Sequence, residues 1–243
     1  MKKISFVIYK LLSIVDGVIK KFFNKSFIIF FSEFMNEDLY FKKKINDRKL
    51  SFFTPNSIIK WRVDTIYTKE PETIDWIDNF KSNNNKKIIF WDIGSNIGLY
   101  SLYAASKYDN IKVYSFEPSS SNLRVLSRNI SINNFCDKIF INQFPLSDEK
   151  IIYSNMNEPN FMEGWAMNSF GSSLDYKGDE FKAKQKYKML GFSIDFILNN
   201  KFLEVPNYIK IDVDGIEDKI LRGGIESLNH SDLKSILIVK YCF

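Results

Sequence analysis

A regular alternation of short apolar runs with helical stretches constrains the fold of this chain more than any other feature. The apolar runs lie at 88–93, 111–116, 139–144, 208–213 and 236–239. Apolar residues at helical spacing follow Gly98 and recur at 123–130 and 216–221. Short strands that alternate with helices are typical of parallel βα units. The sequence therefore predicts an α/β fold with a doubly wound, mostly parallel sheet.

Composition excludes several other classes of protein. The 243 residues are 45% hydrophobic, 16% aromatic and 26% charged, a balance that excludes wholesale disorder. The chain has 10 Gly and 6 Pro, which excludes a collagen-like repeat. Cys136, Cys242 and His230 are its only cysteines and histidine. We therefore expect no disulfide framework, no metal site and a reducing compartment, the cytoplasm.

Positive charge is concentrated at the N-terminus. Residues 1–50 contain 11 Lys and Arg against 5 Asp and Glu, whereas residues 51–243 contain 23 against 24. A nucleic-acid groove would need clustered cations on the folded body, so no nucleic-acid partner is expected. Contact of the basic segment with a membrane surface or a partner protein stays open.

The first 22 residues have the apolar spacing of an amphipathic helix. Lys10, Asp16 and the pair Lys20 and Lys21 interrupt its apolar residues, so it is expected neither to span a membrane nor to be a signal peptide. It either packs on its own domain or anchors the chain peripherally at the inner face of a membrane. The patch at 27–31 suits a core strand or helix. We predict a basic amphipathic extension over 1–60 and the main domain over 61–243.

Two further segments show local structure. A helix is predicted near 69–77, because Pro71 suits the first helical turn and acidic residues surround it. The three asparagines at 83–85 predict a loop. Residues 149–190 interrupt the alternation and are rich in Asn, Gly, Met and aromatic residues, which indicates a hairpin or a flap over the site.

In a parallel sheet, ligands bind beyond the carboxyl ends of the strands. The first such end carries Asp92, Gly94, Asn96 and Gly98 in the pattern D-x-G-x-N-x-G. Gly94 permits a tight turn, Gly98 permits close packing of helix and strand, and Asp92 attracts a ligand with an ammonium and a sulfonium group. The spacing does not match the dinucleotide pattern G-x-G-x-x-G. An ordinary strand-to-helix turn is the alternative interpretation.

Acidic residues follow the next two strands. Glu117 can accept hydrogen bonds from both ribose hydroxyls of an adenosine, although many strands end in Glu for solvation alone. Ser147 and Asp148 can bind an adenine edge, or Asp148 can simply stabilise its own turn.

A third polar group follows the strand predicted at 208–213. Strand alternation would place Lys210, Asp212 and Asp214 on one side. In one interpretation the two carboxylates only neutralise Lys210 within the sheet. In the other, Asp212 and Asp214 lie where cofactor and substrate meet, and one of them polarises a hydroxyl nucleophile. Lys210 or Glu217 would then tune the pKa of that aspartate.

From about residue 61 to 239 the chain resembles the FkbM family of S-adenosylmethionine-dependent methyltransferases. The matching stretches are 69–73, 92–100, 116–118, 146–148, 193–195 and 209–217, with Leu221 and Gly223. The resemblance implies a class I, Rossmann-like fold and methyl transfer to the hydroxyl of a sugar, a surface glycan or a related metabolite. It also implies S-adenosylmethionine as cofactor, bound by Asp92, Gly94, Asn96, Gly98, Glu117, Ser147 and Asp148.

The chain departs from the family pattern in three places. Asp214 replaces the usual Glu, Lys240 stands where an acid is usual, and the sequence stops soon after the strand at 236–239. A class I sheet normally continues with a helix and two more strands, so the C-terminal strands are expected to be missing. The alternatives are a truncated, non-catalytic remnant that binds the cofactor and a membrane-associated interaction protein. A nicotinamide oxidoreductase is disfavoured by the glycine spacing and by Asp92.

Overall fold

The computed structural model describes residues 1–82, 86–173 and 179–239. The predicted loop at 83–85, Cys242 and the residues from Lys240 onward lie outside the described residues. The chain divides into two compact units, Met1–Phe41 and Lys42–Phe243. None of the helices within the described ranges has the length and hydropathy that crossing a bilayer requires.

The first unit contains two helices, α1 (Lys2–Phe23) and α2 (Phe27–Asp38). Asp16 of α1 is buried and accepts hydrogen bonds from the Ser26 hydroxyl and from the backbone amide of Phe27, 2.8 Å away. The hydrogen bond from Lys20 lowers the pKa of Asp16 to about 2. The charged Asp16 therefore satisfies free amides at the start of α2.

Most apolar side chains of the first unit are exposed. The patch at 27–31, expected to be a core strand or helix, is helical, but no residue of α2 is buried. The exposed large apolar side chains of this unit are Met1, Ile4, Phe6, Val7, Ile8, Tyr9, Leu11, Ile14, Val15, Val18, Phe22, Phe23, Ile29, Phe30, Phe31, Phe34 and Met35.

The strands β1 (Tyr40–Ile45) and β2 (Arg48–Phe53) form a two-stranded sheet, and the helices α3 (Ser57–Asp64) and α4 (Pro71–Asp78) follow. Phe52, Phe53 and Ile59 are fully buried. Residues 42–60 thus fall within the second compact unit, where these apolar side chains are buried. A functional boundary at residue 61 stays a prediction. The helix predicted near 69–77 is confirmed, and Pro71 is its first residue.

The central sheet has five strands, and each adjacent pair is parallel. Its strand order is β10-β9-β3-β4-β5, as expected for the predicted doubly wound fold. The remaining elements are β3 (Ile88–Ile93), α5 (Leu99–Lys107), β4 (Ile111–Phe116), α6 (Ser120–Ile132), β5 (Ile139–Asn142), β6 (Ile151–Glu158), β7 (Ser169–Phe170), β8 (Gln185–Phe192), α7 (Ile194–Asn199), β9 (Tyr208–Ile211), α8 (Glu217–Arg222), a short 3-10 helix (Ser227–Asn229) and β10 (Ser235–Ile238).

Strand β3 lies between β9 and β4 and is buried along its whole length. A strand covered on both faces needs a nearly continuous apolar run, which explains the sequence of 88–93. Asp92 is the exception, and the register places it beside Lys210 of β9 and Ser115 of β4. A buried polar row therefore crosses the sheet near its carboxyl edge.

The segment predicted as a hairpin or flap forms a three-stranded antiparallel sheet of order β7-β6-β8. Residues 174–178 of this segment lie outside the described part. We call residues 159–168, which connect β6 to β7, the strap.

Candidate active site

Two clefts open at the carboxyl edge of the central sheet. The larger cleft contains about 580 Å³ of empty space and the smaller one about 410 Å³, each including space open to solvent. Gly94, Asn96 and Asp212 line both clefts, and we call these three residues the shared wall. The turns after β3 and β9 thus separate two adjacent binding spaces.

Gly94 allows these two turns to meet. Its φ is 79°, and a Cβ built on it would overlap the backbone carbonyl oxygen of Asp212. The amides of Gly94 and Ser95 both donate to the carbonyl of Phe116, 3.0 Å away. Because only glycine fits this close approach, the predicted tight turn is confirmed.

Gly98 has a packing role. Its φ is 83°, and a Cβ here would come within 2.5 Å of the Leu126 side chain on α6. Gly98 lines neither cleft. The close packing at Gly98 is therefore between helices, and its contact with a cofactor stays a prediction.

Lys210 is fully buried within a group of charged side chains. Its Nζ lies 3.0 Å from Oδ2 of Asp212 and 3.7 Å from Oδ1 of Asp92, and 4.9 Å from the centre of the Tyr100 ring. Burial favours the neutral amine, but the charges of Asp212 and Asp92 outweigh it and raise the pKa of Lys210. Lys210 is therefore an ammonium ion that faces the smaller cleft.

Asp92 is directed away from both clefts. Its carboxylate is fully buried and accepts a hydrogen bond from the Ser101 hydroxyl at 2.6 Å. The residues that line the two clefts do not include Asp92. The direct attraction of a ligand ammonium by Asp92 stays a prediction, and the ammonium that lies beside Asp92 in this structure is that of Lys210.

Glu117 lines the larger cleft immediately after β4. One carboxylate oxygen accepts from the amide of Asn96 at 2.7 Å and the other from the amide of Ser119 at 2.9 Å. Burial raises the pKa of Glu117 to about 8. Each oxygen keeps capacity for a further donor, as the predicted contact with two ribose hydroxyls requires.

Strand β9 ends at Ile211, and the predicted alternation fails beyond it. Asp214 has a left-handed φ of 53° and accepts a hydrogen bond from the amide of Met167 in the strap at 2.6 Å. It lines the larger cleft only, and burial raises its pKa to about 6. Asp214 therefore does not join Asp212 in pairing with Lys210.

Glu217 also departs from its predicted position. Its carboxylate accepts from the amide of Gly215 at 3.2 Å, and the lining residues of the two clefts do not include it. It stabilises the turn before α8, and its charge also acts to raise the pKa of Asp214, so the tuning role stays a prediction.

Ser147 and Asp148 face another part of the surface. The Ser147 hydroxyl donates to Asp148, which forms an ion pair with Arg222 at 3.4 Å. A Cβ on Gly223 would overlap the carbonyl of Ser147, so this turn packs against the end of α8. Residues 144–146 line the larger cleft, whereas Ser147 and Asp148 do not, so their adenine contact stays a prediction.

The strap supplies site residues that sequence reasoning missed. Trp165, Ala166 and Asn168 line the larger cleft. The carbonyl of Trp165 accepts from the side-chain amides of Asn96 and Asn122, both at 3.1 Å. Among the described residues, Trp165 Nε1, Asn168 Oδ1 and Asn96 Oδ1 have no hydrogen-bond partner although they are buried. Buried polar atoms without partners at a cleft indicate ligand-binding groups.

The smaller cleft was also missed, although its residues were visible in the sequence. Glu70 accepts a hydrogen bond from the Tyr100 hydroxyl at 2.7 Å and pairs with Lys69 at 2.5 Å. Burial opposes its ionisation, but the hydrogen bonds from Lys69 and Tyr100 lower the pKa of Glu70. The cleft is therefore polar and charged, with Arg62 at the end of α3 on its other side.

The arrangement can place one ligand in each cleft with Asp212 between them. Asp212 is held by Lys210 and can accept a proton from a hydroxyl group at the wall. Within the described ranges, no group of three or more His, Cys, Asp or Glu side chains could hold a metal ion.

Comparison with known proteins identifies the family of this chain. The sequence model of the methyltransferase FkbM domain matches residues 92–239. The chain is 26% identical over 160 residues to methyltransferase 1 of Beauveria bassiana, an alignment that covers 62% of this chain and 63% of that protein. It is 49% identical over 43 residues to methyltransferase sdnD of Sordaria araneosa, which covers 18% and 17% of the two chains. The chain thus spans less than two thirds of the length of either relative.

Among solved structures, the chain is similar to a precorrin-6y C5,15-methyltransferase from Geobacter metallireducens. The sequence identity is 12%, the TM-score is 0.39, and the match covers 70% of this chain and 62% of that one.

Proposed function

Since this chain belongs to the FkbM methyltransferase family, we propose that it is an S-adenosylmethionine-dependent O-methyltransferase that acts on a hydroxyl of a sugar, a surface glycan or a related metabolite. The observation that carries the proposal is the shared wall, because two clefts that meet at Asp212 suit a methyl donor and a hydroxyl acceptor. Methyl transfer depends mainly on such alignment, and positioning alone can supply about 7 to 11 kcal/mol.

The larger cleft fits the cofactor. Glu117 is placed for the ribose, residues 144–146 and Met156 offer apolar surface for the adenine, and Trp165 and Asn168 provide unpartnered polar atoms. When bound, S-adenosylmethionine supplies a methyl group activated by its sulfonium.

The acceptor would lie in the smaller cleft with its hydroxyl at Asp212. The Asp212 carboxylate would accept the proton of that hydroxyl, and the cofactor held in the larger cleft would supply the methyl group. Lys210 holds that carboxylate in place, and Asp92 acts through Lys210 as a positioning residue. Asp214, the other candidate base, instead fastens the strap through Met167.

For the first unit we propose peripheral contact with an anionic membrane at the cytoplasmic face. Helix α1 carries five lysines against the single buried Asp16, and many large apolar side chains of both helices are exposed. Exposed apolar surface combined with lysines is typical of helices that lie in a membrane interface.

Calorimetry and transfer assays test the enzymatic function. S-adenosylhomocysteine should bind the full chain, and Glu117→Ala should weaken binding at least about tenfold, because the hydrogen bonds to the ribose hydroxyls are lost. Glu226→Ala, which removes an exposed carboxylate, is the matched control. Absence of binding, or equal affinities of the two variants, would contradict the proposal.

Asp212→Asn should keep the affinity for S-adenosylhomocysteine and lower methyl transfer from labelled cofactor to a panel of sugars and sugar acids about 10²- to 10⁴-fold. Thermal melts of the same samples correct for unfolded protein, since the change also leaves Lys210 less compensated. Normal turnover per folded molecule would exclude Asp212 as the base.

A further inference from the structure

We propose that the acceptor carries an anionic group, a carboxylate or a phosphate, and that Arg62 binds it in the smaller cleft. The inference rests on the proposed methyl transfer and specifies its substrate class. The cleft is lined by three cationic side chains and two carboxylates, namely Arg62, Lys69, Lys210, Glu70 and Asp212.

Two of these cations already have carboxylate partners. Lys69 pairs with Glu70 at 2.5 Å, and Lys210 pairs with Asp212 at 3.0 Å. Within the part of the chain that the structure describes, the Arg62 guanidinium has no carboxylate oxygen within the 4.0 Å of an ion pair. One positive charge of the lining is therefore available for a ligand.

Asp214 interacts electrostatically with Arg62. Burial raises the pKa of Asp214, and the Arg62 charge acts to lower it. However, Asp214 lines the larger cleft, and its Oδ2 is engaged by the amide of Met167 at 2.6 Å. It does not fill the position beside Arg62 in the smaller cleft.

The Arg62 side chain is held in a fixed direction. Its Nε donates to the carbonyl of Gly164 in the strap at 2.7 Å. This bond leaves the two terminal amino groups as a planar pair of donors, a geometry that matches a carboxylate or phosphate. An arginine held in place by its own Nε loses little conformational freedom when it binds an anion.

The remaining lining suits a polyhydroxylated ligand. The hydroxyl groups of Thr65 and Tyr100 donate to Trp61 and Glu70, and their oxygens can accept from a ligand. Asn96 contributes a buried Oδ1 without a partner among the described residues. A ligand with its reacting hydroxyl at Asp212 and its anionic group at Arg62 would be a sugar acid or a sugar phosphate.

Three sugars with the same ring test the inference. The affinities of D-glucuronate, glucose 6-phosphate and D-glucose are measured by calorimetry on the full chain with S-adenosylhomocysteine present. At least one of the two anionic sugars should bind at least about tenfold more tightly than glucose, and which one does so distinguishes a carboxylate from a phosphate acceptor. Equal affinities for all three sugars would overturn the inference.

Arginine variants locate the site. Arg62→Gln should abolish the preference for the anionic sugar, and Arg62→Lys should retain part of it because the charge remains. Arg48→Gln, which removes an exposed arginine paired with Asp109, should retain all of it. Thermal melts show whether each variant is folded. A preference that survives in folded Arg62→Gln would also overturn the inference.

The experiment separates this inference from the proposed function. If S-adenosylhomocysteine binds but no sugar is preferred, the inference fails and the methyltransferase function stands. If S-adenosylhomocysteine does not bind, the proposed function fails, whereas a preference for an anionic sugar that is lost in Arg62→Gln still supports the anion site.

Discussion

A lysine inside a parallel sheet is costly unless its charge is compensated. Lys210 is compensated because the register places it beside Asp92 on the neighbouring strand and because Asp212 follows two residues later. Loss of either carboxylate leaves a buried charge with less compensation, so stability and catalysis are linked at this residue. The sequence could predict the grouping of Lys210 with Asp212, but the pairing with Asp92 depends on which strands are neighbours.

Glu117 should make the stability of the free protein depend on pH. Its pKa is raised from an ordinary 4.5 to about 8, so the folded state binds a proton that the unfolded state has released. The free energy of unfolding should therefore fall by about 2 kcal/mol as pH rises from about 6.5 to 8.5. Urea unfolding across this range measures the effect, and the range lies above the pKa of about 6 for Asp214.

Glu117→Gln should remove most of this pH dependence, because glutamine does not titrate. Glu226→Gln should leave it unchanged. Identical pH profiles for wild type and Glu117→Gln would show that Glu117 ionises normally in the folded protein.

At the scale of elements, the sequence predicted best where burial alone determines structure. Strands β3 and β4 have the predicted limits, since both are covered on both faces and need continuous apolar runs. Strand β9 ends two residues earlier than predicted, because the left-handed Asp214 and the contact of Gly94 with Asp212 turn the chain. The strap has no apolar periodicity, and side-chain hydrogen bonds from distant residues place it.

Gly164 in the strap and Gly171, which follows β7, offer a matched pair of glycine substitutions. Gly164 and Gly171 both have a φ of 78°, but a Cβ on Gly164 would lie 2.6 Å from Ile59, whereas one on Gly171 would meet only the Ser154 hydroxyl at 3.8 Å. Both alanine variants should lose about 1 to 2 kcal/mol from the left-handed backbone. Gly164→Ala should lose about 1 to 3 kcal/mol more through overpacking.

Gly164→Ala should also weaken the binding of S-adenosylhomocysteine, because the strap lines the larger cleft next to this residue. Urea unfolding and calorimetry on both variants provide the comparison. If the two variants unfold and bind alike, contact with Ile59 does not position the strap.

At the scale of the whole molecule, the two units have different surfaces. The charge asymmetry could be predicted from the sequence, whereas the exposure of the apolar residues of α2 could not, because apolar content alone suggests a core. The two clefts were also not predictable, since residues from α3 to β9 line them together.

Membrane binding should depend on the apolar residues of the first unit. Replacing Phe30 and Phe34 by Ser should lower binding of the full chain to phosphatidylglycerol-containing vesicles at least about tenfold, because two large side chains no longer enter the interface. Cosedimentation at low and high salt measures it, since contacts with lysines weaken as salt rises. Glu37→Gln, another exposed position of α2, is the control. Unchanged sedimentation of the double variant would argue against an interfacial role.

The shared wall also suggests how an inhibitor could reach both clefts. Gly94, Asn96 and Asp212 line both clefts, and the glycine contributes no side chain between them. A single compound that joins a nucleoside to a sugar acid by a short bridge past Gly94 would therefore occupy both clefts at once. Each half would hold the other at a high effective concentration, so the joined compound would bind far more tightly than either half alone.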